Sequence, residues 1–275
     1  MTPPALTSRI LPVSANVRCE GDGGPVIRAG TYTLEVRDEV VTGWHSHDLH
    51  QMEYAFEGVV EVETATARYL LPPQQAVWIP AGTIHCSTWS NVKAVSVFFD
   101  PVMGLPAGDR VRILAAAPVI REMVLYARRW PIKRTATEPM AEAFFDALAH
   151  LVVEWLDHET PLCLPTTPDP LVAAAMDYTN KHLTDVSLPQ LCAAIGTSER
   201  SLRRAFLAAT GMSWRRYLLE SRLLKAMALL AQDSQNQTII AIALTVGFQS
   251  VSAFTRAFGQ YTGETPTAYR QRVRG

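Results

Sequence analysis

Two short stretches near the N-terminal end carry residues able to do chemistry. One reads Gly43-Trp44-His45-Ser46-His47-Asp48-Leu49-His50-Gln51-Met52-Glu53, the other Pro80-Ala81-Gly82-Thr83-Ile84-His85. His45 and His47 are two apart, so on one strand their side chains share a face. If that face points into a barrel, His85 can join them from a later strand. Three imidazoles suit Zn, Cu, Ni or Fe. The plainer reading is that these histidines line an organic-ligand pocket or are core residues with satisfied hydrogen bonds. Trp44, His50, Glu53, Tyr54, Trp78 and Trp89 offer aromatic and polar lining for a small molecule, although most aromatics in a barrel are simply core.

A second constellation lies near the other end. Leu191–Tyr217 and Ile242–Tyr269 are similar segments. Gly196 aligns with Gly247 at a separation of 51. With one extra residue the separation becomes 52, pairing Ser198 with Ser250, Arg204 with Arg256, Phe206 with Phe258, Gly211 with Gly263 and Tyr217 with Tyr269. Each copy reads as a short helix, a turn containing Gly and a second helix, a layout whose second helix enters the DNA major groove. Leu202 and Phe206 are four apart and face the core, which leaves Glu199, Arg200, Arg203 and Arg204 outward. In the second copy Phe254 and Phe258 take the core positions, leaving Ser252, Thr255 and Arg256. Arginine reaches guanine O6 and N7 or grips phosphates; Ser and Thr read bases more weakly. The first copy is therefore expected to read bases and the second to supply phosphate contacts and register. The plainer reading is a solvated basic face on a structural bundle. Duplication of the arginine sites argues against it.

The elements that position these residues divide into two kinds. Thr31–Arg37, Ala55–Val62, Ala67–Leu71, Ala76–Ile79 and Ala94–Phe99 read as short strands rich in Val, Tyr, Phe, Thr and Ile, punctuated by Gly43, Gly58, Pro72-Pro73 and Pro80-Ala81-Gly82. Short strands with such turns predict a β-barrel or jelly roll. Residues 109–129 and 138–158 read as helices. In the second, Met140, Phe144, Leu148, Leu151 and Trp155 form an apolar face that packs on the barrel or makes a dimer seam. Thr160–Pro170 has four prolines and reads as a semi-rigid linker. Beyond it lie helices at Leu171–Leu183, Leu188–Ile195, Glu199–Ala209, Trp214–Ala231, Thr238–Thr245, Val251–Tyr261 and Pro266–Val273. Ser198 and Ser250 are N-caps, with Gly211 and Gly263 beyond the C-terminal ends.

The expected organisation is an all-β barrel over 1–105, a helical region over 106–159 for packing or dimerisation, a linker over 160–170 and an all-α domain over 171–275. The net charge of −1 hides an asymmetry. From Pro170 onward 12 Lys or Arg face 6 Asp or Glu, a net +6; the rest of the chain carries −7. A basic domain of this kind suits a polyanion. Cys19, Cys86, Cys163 and Cys192 are scattered and read as structural thiols. No apolar run is long enough for a membrane span, and the first residues lack the apolar core of a signal peptide, which together imply a cytoplasmic location.

At this point the repeat resembles a known family. Leu188–Arg270 is similar to the C-terminal DNA-binding domain of AraC/XylS-family transcriptional regulators: S-x-x-x-L-x-R-x-F followed by T-G in both copies, with Phe for Leu in the second, and GFQSVSAFTRAFGQYTGETPTAYR close to the family signature. The resemblance implies two helix-turn-helix units joined by a long helix, reading successive major-groove segments of a promoter or operator. It places Arg200, Arg203, Arg204, Ser252, Thr255 and Arg256 at DNA-contacting positions. The N-terminal stretches resemble the two cupin motifs, with Gln51 at the carboxylate position and Gln74 where the second motif begins with Gly. This implies a possible divalent transition metal at His45, His47, Gln51 and His85. Together the resemblances imply a non-enzymatic, homodimeric regulator sensing a small molecule or metal, and touching RNA polymerase if it activates. The competing expectation is a cupin metal-dependent enzyme, a dioxygenase or isomerase, with an appended helical domain.

Overall fold

The computed structural model describes residues 9–10, 26–106, 108, 110–115, 118–157, 159, 162–231 and 237–274. Cys19 and the extreme N-terminal segment read above for targeting lie outside them. The chain divides into two compact units, one of Met1–Thr64 with Tyr69–Leu162, the other of Cys163–Gly275 with Ala65–Arg68.

In the first unit β1 (Arg9–Ile10), β2 (Ala29–Val41), β3 (His50–Glu63), β4 (Ala67–Leu71), β5 (Gln75–Ile79), β6 (Cys86–Phe99) and β7 (Arg112–Ala115) belong to one sheet. Its order is β1-β2-β6-β3-β4, with β5 pairing both β3 and β7. Strand β6 is the spine, antiparallel to β2 on one edge and to β3 on the other. Strands β2, β3, β5 and β6 outrun their predicted lengths, whereas β4 matches the expected Ala67–Leu71. The His-rich run ends where β3 begins, so Gln51 and Glu53 are strand residues opposite Phe98 and Ser96.

Two sequence expectations need correction. Residues 109–129 do not form one helix: Arg112–Ala115 is strand β7, and only Pro118–Ala127 is helical, as α1. Asp109, Ala116 and Ala117 lie outside the described residues. Ile113 pairs with Val77 and Leu114 with Ala76, so cross-strand packing on β5 decides the conformation over local propensity. Helix α2 runs Pro139–Trp155, but its deepest face is Ala141, Phe145, Leu148, Ala149, Val152 and Trp155. Of the five expected residues, Leu148 and Trp155 are buried, Phe144 and Leu151 only flank the core, and Met140 is 65% exposed. Ala141 and Ala149 let the helix approach its neighbours closely, which rotates the buried stripe by one position.

The core of this unit lies between one face of the sheet and these helices. Met52, Tyr54, Ala76, Trp78, Val95, Val97 and Phe99 join Ile120, Val124, Phe145, Leu148 and Val152 in one cluster. Gln51, Glu53, Ser96 and Phe98 alternate with those strand residues and so occupy the opposite face. A smaller cluster, Ile27, Leu49, Phe98 and Ile132, caps that side.

From Cys163 onward the second unit consists of β8 (Cys163–Pro165) followed by the helices α3 (Pro170–Lys181), α4 (Leu188–Ala194), α5 (Glu199–Thr210), α6 (Trp214–Ala231), α7 (Ile239–Thr245), α8 (Val251–Thr262) and α9 (Pro266–Arg274). Most of these lie within a residue or two of expectation because the punctuation is local. Ser187 and Gln190 form a reciprocal capping box, and Ser198, Thr238 and Ser250 each accept from a backbone N–H in the first turn. Gly211 and Gly263 end α5 and α8 in the left-handed conformation. Among the described residues no helix is long and apolar enough to cross a membrane.

Candidate nucleic-acid interface and buried polar network

The duplication seen in sequence is reproduced in atoms. Phe206 packs edge-on against Tyr217 at 5.4 Å between ring centres, and Phe258 against Tyr269 at 5.5 Å. The Thr210 hydroxyl donates to Phe206 O at 2.6 Å, and that of Thr262 to Phe258 O at 2.8 Å. Leu202, Phe206, Phe254 and Phe258 are fully buried. Burying these positions turns the intervening residues outward, and Arg200, Arg203, Arg204, Ser252 and Arg256 are exposed, with Thr255 half-buried.

The two helix pairs are tied together. Arg222 of α6 donates through Nε to Leu183 O at 2.9 Å and through Nη2 to Thr184 O at 3.3 Å. The Thr184 hydroxyl donates to Thr245 O at 2.8 Å. Gly247, at φ +89°, fits where a Cβ would stand 2.4 Å from Thr184 O and 2.7 Å from Arg222 Cζ. The turn between α7 and α8 is thus seated on the loop between α3 and α4, through α6.

In the first unit the structure gathers some of the expected site residues and separates others. His45 and His85 face each other across an isolated antiparallel bridge, each N–H donating to the other's carbonyl at 2.9 Å. Their rings lie 4.3 Å apart, and His47 lies 5.3 Å from His85 and 6.2 Å from His45. Each Nδ1 is tied to a backbone carbonyl, of Gly43, Leu49 and Thr83 respectively. That fixes the tautomer and leaves Nε2 as the nitrogen with a lone pair, the arrangement a ligating histidine requires. For His47, however, Nε2 meets the Gln51 side-chain amide at 2.8 Å. Among the described residues no group of three His, Cys, Asp or Glu is arranged to hold a metal ion. In this arrangement the His47 Nε2 is already engaged by Gln51.

The residues form a buried polar chain instead. The Gln51 amide bridges His47 and Ser96, at 2.9 Å from Ser96 Oγ, and lies 3.2 Å from Glu53 Oε2. The Trp89 indole donates to Glu53 Oε1 at 2.8 Å. Burial drives the Glu53 carboxyl up to about 7, against the Trp89 bond that lowers it. Burial also holds His47 below its ordinary value and pushes His85 down to about 4. The Gln51 NH2 donates to Ser96 Oγ and to Glu53 Oε2, and its carbonyl oxygen is the atom that faces His47 Nε2.

The six expected pocket residues are not brought together. Glu53 and Trp89 belong to the polar chain. Trp44 points outward and is 58% exposed. His50, Tyr54 and Trp78 lie on the opposite sheet face toward the helices, His50 stacked on Trp78 at 5.1 Å. Parity explains the split: His50, Met52 and Tyr54 alternate with Gln51 and Glu53 along β3. Ser96 was not singled out from sequence. Only the pairing of β3 with β6, which sets Ser96 opposite Glu53, reveals it.

Similarity to known proteins bears on the helical unit first. The family described as a helix-turn-helix domain matches residues 191–272. The HTH-type transcriptional regulator NimR of Escherichia coli is 28% identical over 250 residues, 90% of this chain and 86% of that protein. The HTH-type transcriptional activator RhaR of Pectobacterium carotovorum is 49% identical over 75 residues, 27% of this chain and 26% of that protein.

The chain is a DNA-binding transcriptional regulator with a helix-turn-helix domain at residues 191–272.

Among solved structures, this regulator is similar to the DNA-binding domain of AdpA in complex with a target DNA, at 28% identity, 38% of this chain, 92% of that one and a TM-score of 0.36. The matched family segment, residues 191–272, includes the exposed arginines of α5 and α8.

Proposed function

We propose that α4–α5 and α7–α8 are two helix-turn-helix units, with α5 and α8 as recognition helices entering successive stretches of major groove. Arg200, Arg203 and Arg204 of α5, and Ser252, Thr255 and Arg256 of α8, make the contacts. The observation that carries this reading is the repetition of one framework, buried Phe, edge-on Tyr and serine cap, with an exposed arginine at the equivalent place in both copies. Double-stranded DNA meeting such a surface releases counterions, so affinity falls steeply with salt. The test is duplex binding by the full chain across a salt series. Arg256→Ala is expected to weaken binding to all sequences alike and to reduce the salt slope by about one. A chain that shifts no promoter fragment at low salt overturns the reading.

The sheet unit, over roughly the expected barrel and the helices after it, is the cupin-like sensor in this reading. The chain His47–Gln51–Glu53–Trp89 with Ser96 supports an organic effector able to exchange hydrogen bonds with buried neutral groups. To act as a switch, the effector must bind one arrangement of the protein better than the other. Bound effector raises the melting temperature by mass action, so a thermal-shift screen with metal salts as a separate arm distinguishes the two ligand classes. A metal-dependent enzyme is the competing reading. Turnover requiring added Fe(II), Ni(II) or Zn(II) and lost in His45→Ala would establish it instead. A homodimer, and contact with RNA polymerase if the protein activates, complete the proposed set of partners.

A further inference from the structure

Of the three arginines on the outward face of α5, one is held and two are not. Arg203 Nη2 donates to Glu199 Oε2 at 2.8 Å, one helical turn away, with the two side chains 61% and 44% exposed. Arg200 and Arg204 form no hydrogen bond or ion pair among the described residues. Stability does not account for the pair, because exposed i,i+4 ion pairs contribute little. A carboxylate in the first turn of a helix that meets a polyanion is, moreover, electrostatically costly to binding. It repels phosphate and cancels the charge of its partner.

A base-reading arginine has different needs from a phosphate-gripping one. Bidentate contact with guanine requires the guanidinium plane to be held in the plane of the base pair. Holding that plane before binding spares the loss of rotamer freedom on binding. A carboxylate on one Nη leaves the remaining N–H groups of the fork free for the base edge. It also lowers the pull of that arginine toward phosphate. The second unit lacks the device, since Val251 and Thr255 occupy the positions equivalent to Glu199 and Arg203.

We infer that Glu199 is a positioning residue for specificity: it presents Arg203 to a guanine in the first half of the site, while the unrestrained Arg200 and Arg204 take phosphates. The inference rests on the DNA-contact reading above and adds a division of labour to it. The test is selection from a randomised duplex library with the full chain, comparing wild type, Arg203→Ala, Glu199→Ala, Glu199→Gln and the double variant Glu199→Ala/Arg203→Ala. Arg203→Ala is expected to flatten preference at one G·C pair by about tenfold or more. Both Glu199 variants are expected to flatten the same pair, leave the others unchanged and bind unrelated duplex more tightly. The double variant should match Arg203→Ala, as expected for two residues acting through one contact. A retained profile in both Glu199 variants overturns the inference, as does a changed preference at a different base pair, which would make Glu199 a direct reader. If wild type selects no sequence at all, the DNA-contact reading fails instead.

Discussion

Glu53 and His85 titrate in opposite senses, and their effects on stability largely mask each other. The folded Glu53 carboxyl holds its proton up to about 7, whereas an ordinary glutamate loses it near 4.5. The folded state therefore binds the extra proton, and its contribution falls as pH rises through that window. His85 is neutral down to about 4, against 6.5 when unfolded. Its contribution is complete above 6.5 and is lost as pH falls toward 4. Each is worth up to about 3 kcal/mol at its limit. Glu53→Gln keeps an acceptor for the Trp89 indole but removes one titration. Its melting temperature should climb more steeply between pH 4 and 6.5 than that of wild type. Parallel profiles would show that Glu53 ionises in the folded protein as it does in water. At this scale the sequence was readable in kind but not in grouping. The spacing of His45, His47 and His85 foretold their convergence. That Gln51 turns to His47 and Ser96 depends on the register of β3 against β6, which no local pattern encodes.

Elements differ in how far their own sequence determines them. The helices of the second unit announce their ends with serine caps and terminal glycines, so their limits were legible to within a residue or two. Strand β7 is not legible in the sequence, because Val111-Arg112-Ile113-Leu114 suits helix or strand equally and its partner β5 lies more than thirty residues earlier. The buried stripe of α2 is hidden for a related reason: periodicity marks an apolar side but not which of two adjacent stripes goes deepest. Glycine gives a sharp element-scale test. Gly247 and Gly263 both have positive φ, but only Gly247 is pressed against a neighbour, Thr184 O at 2.4 Å. Gly263→Ala should cost about 1 kcal/mol from backbone strain alone. Gly247→Ala should cost at least about 2 kcal/mol, because strain and displacement of Arg222 act together. Chemical denaturation of the two variants checks the order. Equal losses would mean that the Arg222 contact yields freely.

At the scale of the whole molecule, the first unit leaves an apolar surface on its helices. Val119 and Tyr126 of α1 are 49% and 47% exposed and Met140 of α2 is 65% exposed. Tyr126 meets Phe144 at 5.4 Å, which makes the two helices contribute to one patch. A patch of this kind suits a self-complementary contact between two copies. Met140→Glu should shift sedimentation toward the monomer while leaving the melting temperature nearly unchanged, since its side chain is outside the core. Dimers undiminished by this change would place the seam elsewhere.

If α5 and α8 are the two recognition helices proposed above, the clamp from Arg222 to Leu183 O and Thr184 O, with Gly247 seated against it, also constrains the DNA, because it ties the turn before α8 to the loop before α4. One base pair inserted between their two half-sites turns the second by about 34–36° and carries it about 3.4 Å along the axis. Such an insertion should cost at least about tenfold in affinity, while the same base pair added outside the site should be silent. The operator would then behave as a single word of fixed length. Substitutions within it can accumulate one letter at a time, but a change in its length cannot be tolerated in small steps.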